Sequence, residues 1–215
     1  VGSARYRNED DIYRAAFALP WDEWFERERT LRVDVTAIKC PLPSLNFIAP
    51  KIKDAVCDKI RRLSGRRPSV NTRQPDIPIQ GHLTDRYFTL YIDTTGEPLF
   101  KRGKRIAAGE APLRENLAAG ILRLTGWAPG TALLDPMCGS GTFLLESAQT
   151  ALDIAPGLGR HFAFERLKNF ASLRWRDLRQ QSAARQKPKV PLPIYGSDVS
   201  EEALRSARAN LVAAG

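Results

Sequence analysis

The residues best suited to chemistry lie at 135–142. There Asp-Pro-Met-Cys-Gly-Ser-Gly-Thr separates a short apolar run, TALLD (131–135), from a helical stretch, TFLLESAQTALDI. A strand, a tight glycine-containing loop and a helix in that order let backbone approach a ligand closely and aim the first helical N–H groups at it. Two ligand classes that use such a turn are excluded by the residues. A phosphate-binding P-loop ends in Gly-Lys-Ser/Thr, whereas Gly141 is followed by Thr142 and Phe143. A dinucleotide fingerprint needs GxGxxG, and Leu144 stands where the third glycine belongs. A second apolar run, VPLPIYGSD (190–198), ends in an acid, Asp198, ahead of another helical stretch.

Charge gives a second lead. The chain carries 33 Lys and Arg against 24 Asp and Glu, a net charge of +9 that suits a polyanionic partner. The excess is unevenly spread. Residues 51–73 hold Lys51, Lys53, Lys59, Arg61, Arg62, Arg66, Arg67 and Arg73 against Asp54 and Asp58. A second cluster is Lys101, Arg102, Lys104 and Arg105 around Gly103. Such runs are either phosphate contacts or solvated helix faces, and composition leaves both open.

The elements that must position these residues follow from pattern. Asn8 caps a helix over EDDIYRAAFAL, with acids in its first turn. LRVDVTA (31–37) alternates like a half-buried strand. Residues 50–64 form an amphipathic helix with Ile52, Ala55, Val56, Ile60 and Leu63 on one stripe and Gly65 as its stop. HLTDRYFTLYID (82–93) is expected as a strand, TTGEP (94–98) as a turn and LFKRG as the returning strand. Pro112 opens a helix over LRENLAAGILRLTG that Gly126 stops. The second half then reads strand, helix, strand, helix, with Ser200 capping SEEALRSARANLVAAG, which implies a parallel sheet. The halves meet near residues 100–110.

Other classes are set aside by composition. At 43% hydrophobic and 27% charged residues, the 215-residue chain can bury a core. No apolar run reaches the ~18–20 residues of a membrane span. Cys40, Cys57 and Cys138 form no CxxC pair, which argues for a reducing, cytoplasmic setting and against a metal ribbon. His82 and His161 are isolated and read as structural.

The string DPMCGSGT resembles the S-adenosylmethionine-binding motif of amino-methylating Rossmann methyltransferases. Together with RYRNEDDIYRAA (5–16), DAVCD (54–58), GRRPSV (65–70), LFKRGKR (99–105), APLRENLAA (111–119) and IAPGLGR (154–160), it is similar to the THUMP-domain-containing RNA methyltransferases, in particular the group like the bacterial 23S rRNA guanine-N2 methyltransferase. The resemblance implies an α/β chain with two parts. Residues 1–104 would be an α+β, ferredoxin-like THUMP region that binds RNA. Residues 105–215 would be the first part of a Rossmann-like methyltransferase domain. It implies S-adenosylmethionine as cofactor, ribosomal RNA as partner, and no metal or membrane. Asp135, Pro136, Met137, Cys138, Gly139, Ser140, Gly141 and Thr142 would form the cofactor loop, with Asp198 on the ribose hydroxyls, since a carboxylate can accept two hydrogen bonds from a cis-diol. The alternative for Asp198 is a simple helix-start acid. Pro112, Leu113 and Asn116 would close over the methionine end, or else be plain helix start and core. RNA would meet Lys59, Arg61, Arg62, Arg66, Arg67, Arg73, Lys101, Arg102, Lys104 and Arg105.

Two departures stand against that family. Asp198 follows the loop by far more than the ~20 residues of the simplest nucleotide folds. The intervening stretch, with Phe162, Phe164, Phe170 and Trp175, matches the family's own insertion and reads as a packing face. The family's Asn/Asp-Pro-Pro-Tyr/Phe signature is absent, so the chain is expected to be a fragment, incomplete at both ends, in which no residue takes the catalytic step. Two alternatives remain: an RNA-binding module with a non-catalytic Rossmann half, and an adenine-N6 DNA methylase.

Overall fold

The computed structural model describes residues 1–102, 106, 107 and 113–214. Pro112, Lys104 and Arg105 lie outside these. The chain divides into two compact units. The first comprises Val1–Gly96 and Phe162–Ala171, and the second Glu97–His161 and Ser172–Gly215.

The first unit is a four-stranded sheet with helices on one face. Its elements are β1 (Gly2–Arg5), α1 (Glu9–Ala18), α2 (Trp21–Trp24), β2 (Leu31–Ala37), α3 (Ile48–Ser64), β3 (Ile77–Leu83) and β4 (Tyr87–Ile92). The sheet order is β1-β4-β3-β2, with β2 and β3 parallel and the other pairs antiparallel. Asn8 caps α1: its Oδ1 accepts from Asp11 N at 2.9 Å, and Glu9, Asp10 and Asp11 occupy the positive end of the helix dipole. Ile12 and Ala16, one turn apart, are buried. Ile48, Ile52, Ala55, Val56 and Ile60 form the stripe that α3 packs on the sheet, and Gly65 ends the helix at φ +76°.

Three expectations are corrected. Leu63 leaves the α3 stripe and is exposed. Residues 82–93 are not one strand, because Thr84–Arg86 make a turn between β3 and β4. Thr84 N donates to Tyr87 O at 2.8 Å, and the Thr84 hydroxyl accepts from Tyr87 N at 3.1 Å. The phase gives the break away: Leu83 and Phe88 both face the core, yet lie an odd number of residues apart. Of LFKRG, Leu99–Arg102 form no returning strand, and Gly103 lies outside the described residues. Leu99 and Phe100 lie in a turn, and β4 pairs instead with β1, whose four residues are too few to show a pattern.

The second unit holds α4 (Glu115–Leu124), β5 (Leu133–Asp135), α5 (Thr142–Ala151), α6 (Ser172–Ala184), β6 (Ile194–Gly196) and α7 (Glu201–Ala214). β5 and β6 are parallel, with Asp135 opposite Gly196. One face of this pair is covered by a small cluster of Cys138, Leu144 and Ala207, joined by Ile194, Leu204 and Leu211. On the other face Leu134 and Tyr195 stand opposite each other, exposed. No pattern announced α6, because none of its residues is buried. Of the expected aromatic face, Phe162, Phe164 and Phe170 pack ring to ring in the first unit, at 5.2 and 5.8 Å between centroids. Trp175 stands on α6 in the second unit.

Candidate functional site

Residues 135–142 lie between β5 and α5, and four features shape them. Gly139 and Gly141 adopt φ of +53° and +81°, the left-handed region where a side chain is strained. Gly141 N donates to Cys138 O at 2.8 Å, closing a tight turn. Asp135 Oδ1 accepts from Met137 N at 3.2 Å. Cys138 N donates to Ser197 O, and Ser197 N to Asp135 O, both at 2.9 Å, so the loop is stitched to the end of β6.

Asp198 completes the arrangement. Its Oδ2 accepts from Gly139 N and its Oδ1 from Ser200 N, both at 2.9 Å. It therefore braces the turn that leads into α7, where Ser200 Oγ accepts from Ala203 N at 3.3 Å, and holds the glycine loop at once. A carboxylate has about four acceptor sites, so beyond these backbone bonds it keeps capacity for a ligand. The backbone N–H bonds from Ser200, Gly139 and Val199 hold its carboxyl below the usual range. A group depressed in this way stabilises the fold above the ordinary carboxylate range, and that contribution is lost as pH falls through its folded-state value. The thermal midpoint is thus expected to drop on acidification below about pH 4, and Asp198→Asn to abolish that part of the drop. An unchanged acid profile in the variant would refute the anchoring role.

The Cys138 thiol is pushed up by burial and then by the Asp135 and Asp198 carboxylates, so it is a neutral packing group. It lies under Gly196, where a Cβ would sit 2.5 Å from Leu144 Cδ1 and 3.1 Å from Cys138 Cβ. Glycine at the end of β6 is what lets strand and loop touch. Over Gly139, by contrast, a Cβ would meet nothing within 4 Å among the described residues. The loop presents open backbone beside a carboxylate. Met137 and Val199 are exposed at its edge.

One residue outside the motif organises the loop. Asn210, in the interior of α7, is fully buried. Its Oδ1 accepts from Ile106 N and Ala107 N, both at 2.9 Å, and its Nδ2 donates to Ala107 O at 2.8 Å and Ser140 O at 3.0 Å. The signal for it in the sequence was an amide one turn after Ala207, beside the apolar stripe of α7, where a polar side chain must find partners.

The remaining candidates are dispersed. Asn116, in the first turn of α4, lines a hollow of about 580 Å³ with Arg102, Glu146 and Gln149, away from residues 135–142. Leu113 is half-buried just before α4. Arg102 is largely buried and bonds Glu146 at 2.8 Å, so it is not placed for phosphate. In the basic run, Arg67 pairs with Asp54 and Asp58 at 2.9 and 3.4 Å, Arg61 with Asp58 at 3.3 Å, and Lys59 lies 5.7 Å from the Phe17 ring centroid. Lys101 pairs with Glu97 at 3.1 Å. Arg62, Arg66 and Arg73 are exposed, with no carboxylate partner among the described residues.

An α/β unit whose first strand turns into a helix through two left-handed glycines, and whose second strand delivers an acid to that turn, is a Rossmann-type half-site. The comparisons agree. Residues 102–215 match the RMKL-like methyltransferase domain, and residues 6–93 match the THUMP domain. The chain belongs to the RMKL-like methyltransferase family and carries a THUMP domain ahead of that domain. It is 44% identical to the ribosomal RNA large subunit methyltransferase K/L of Cellvibrio japonicus, over 96% of this chain and 29% of that protein. Its fold superimposes on a predicted N6-adenine-specific DNA methylase from Listeria monocytogenes with a TM-score of 0.86 at 31% identity. It also superimposes on SMU.472, assigned as a methyltransferase and solved with SAH, at 0.87 and 32%. Each match covers all of this chain and 57% of the solved one. The chain thus spans under a third of that curated relative and just over half of the solved structures.

Proposed function

We propose that the second unit binds S-adenosylmethionine at residues 135–142 with Asp198, and that the chain serves methylation of ribosomal RNA at an exocyclic base amine, guanine N2 in the first instance. The observation that carries this reading is the Gly139–Asp198 couple: an N–H held by a carboxylate under open space, beside a loop that only glycine can form. Asp198 keeps acceptor capacity for a ribose diol, and Gly139 leaves room for the nucleoside. Bound there, the sulfonium supplies the electrophile, and the protein's part is to hold and orient. No residue of the chain is assigned to the transfer step.

RNA as substrate class is supported by the THUMP match and by the rRNA methyltransferase relative. A solved neighbour bears an adenine DNA methylase label, which keeps adenine as the second base. Arg62, Arg66 and Arg73, exposed and without a carboxylate partner among the described residues, are the primary phosphate contacts of the first unit in this reading, with Lys59, Arg61 and Arg67 on the same run, and Lys101 is a further contact on the second unit. A cytoplasmic setting follows from the substrate.

Calorimetric titration with S-adenosylmethionine tests the site. Asp198→Asn keeps shape and loses charge, and is expected to weaken binding roughly tenfold to a hundredfold, the worth of hydrogen bonds to a charged group. Wild-type affinity in a folded variant would remove Asp198 from the site. Mass mapping of rRNA from cells with and without the gene identifies the base.

A further inference from the structure

The open face of the first unit's sheet is a second candidate surface, and the basic run is not part of it. The register sets Arg5, Tyr87, Thr89 and Tyr91 on the side away from the helices, with Ser3 and His82 flanking Thr89. Their neighbours in sequence, Phe88 and Leu90, point into the core. Tyr87 and Tyr91 are 42% and 51% exposed, unusual for large rings on the two-sided central strand β4. Between them runs a polar row: Thr36 Oγ1 and His82 Nδ1 are 3.0 Å apart, and Thr89 Oγ1 donates to Ser3 Oγ at 3.0 Å.

Cations stand at one end of this row. Arg5 Nε donates to the Tyr87 hydroxyl at 2.8 Å, and its guanidinium lies 5.3 Å from the ring centroid. Arg5 also borders a hollow of about 710 Å³ with Arg7, Arg14 and Arg86, against Asp11 and Asp85 alone. Arg7 and Arg14 share Asp11, so cations outnumber acids there. Exposed aromatic rings beside excess guanidinium, with hydroxyl groups between, match the chemistry of single-stranded nucleic acid: rings stack bases, hydroxyls meet base edges and cations meet phosphates.

Spacing favours a single strand over a duplex. Four residues of strand place the two rings roughly 13 Å apart at ~3.3 Å per residue. Stacked bases of a duplex rise only ~3.4 Å per step, so the two rings cannot serve adjacent stacked bases. They can serve splayed bases of an extended strand. We infer that Tyr87 and Tyr91 form a base-stacking platform for single-stranded RNA, whose phosphates run toward Arg5, Arg7 and Arg86. This rests on the RNA reading above and adds to it the conformation of the RNA and the surface that reads it.

Fluorescence anisotropy on the full chain tests it, with a labelled single-stranded oligoribonucleotide of about 12 residues, within the site size of such surfaces, and a duplex of equal length. Three doubles are compared: Tyr87→Leu with Tyr91→Leu, Tyr87→Phe with Tyr91→Phe, and Arg66→Gln with Arg67→Gln. The leucine double is expected to lose on the order of a hundredfold for the single strand, about tenfold per ring, with duplex affinity within about twofold. The phenylalanine double keeps the π-faces and is expected to retain most of the affinity. Both tyrosine doubles should melt as the wild type does, because both rings are exposed. If the leucine double binds the single strand normally while the arginine double is impaired, the platform is refuted and the RNA reading stands. Equal losses for both RNAs in the leucine double also refute it. A change in sedimentation with unchanged RNA binding assigns the face to a protein partner instead. If the wild type binds neither RNA, both readings fall together.

Discussion

Asn210→Leu is expected to dismantle the second unit's site from a position that touches no proposed ligand. Leucine matches the amide in size but leaves Ile106 N, Ala107 N, Ala107 O and Ser140 O without their partner. Each buried group so orphaned costs about 1–3 kcal/mol. Relaxation will return some of them to water, so a net loss of about 3–6 kcal/mol is expected, at the upper end for single substitutions. The unit has little with which to offset this, since its cluster beneath the loop is only Cys138, Leu144 and Ala207 with three partly buried neighbours. Thermal unfolding should show an early transition. Hydrogen exchange should rise across residues 133–145, and S-adenosylmethionine binding should be lost. Asn210→Asp is expected to fall between, because its oxygens still accept from Ile106 and Ala107 but now face the carbonyls of Ala107 and Ser140. Wild-type melting and binding in Asn210→Leu would show that the four bonds are dispensable.

The second large effect separates folding from binding within one loop. Gly139→Val and Gly141→Val both force a side chain into the left-handed region, which costs roughly 1–2 kcal/mol. At Gly141 the new Cβ would also sit 3.1 Å from Ala207 Cβ and 3.4 Å from its Cα, against the helix that carries Asn210. Over-packing there adds about 1–3 kcal/mol, and this variant is expected to melt early. At Gly139 the Cβ meets nothing within 4 Å among the described residues. That variant should fold, with Gly139 N still bonded to Asp198, and its side chain should fill the space above the loop. Loss of S-adenosylmethionine affinity by about a hundredfold or more, with a midpoint lowered only by the backbone strain and above that of Gly141→Val, is the expected signature; the affinity loss corresponds to about 3 kcal/mol. Normal affinity in a folded Gly139→Val would place the ligand elsewhere. Similar melting of the two variants would contradict the packing difference.

These effects divide along the line between what the sequence determined and what tertiary structure decided. Local rules reach as far as local causes do. Asn8 with its three following acids, the apolar stripe of α3 and Gly65 each act within a turn of helix, so their elements could be read directly. The loop 135–142 was legible for the same reason, as its glycines and its flanking strand and helix are consecutive. The sequence also placed Asp198 at the end of the second strand. It did not reveal that the carboxylate bonds Gly139 N across 59 residues, because that bond exists only once β5 and β6 pair in register. Asn210 and Gly196 gained their meaning the same way, one from a helix lying over the loop and the other from a side chain beneath it. Charge was the least legible property. Eight cations between 51 and 73 looked uniform along the chain, yet folding pairs Arg61 and Arg67 with the two aspartates one helical turn away or across the turn after α3, and leaves Arg62, Arg66 and Arg73 in water. Arg102, expected at the surface, is drawn against Glu146. Side-chain pairing and burial depend on which elements meet, and that is set by the packed core rather than by neighbours in sequence.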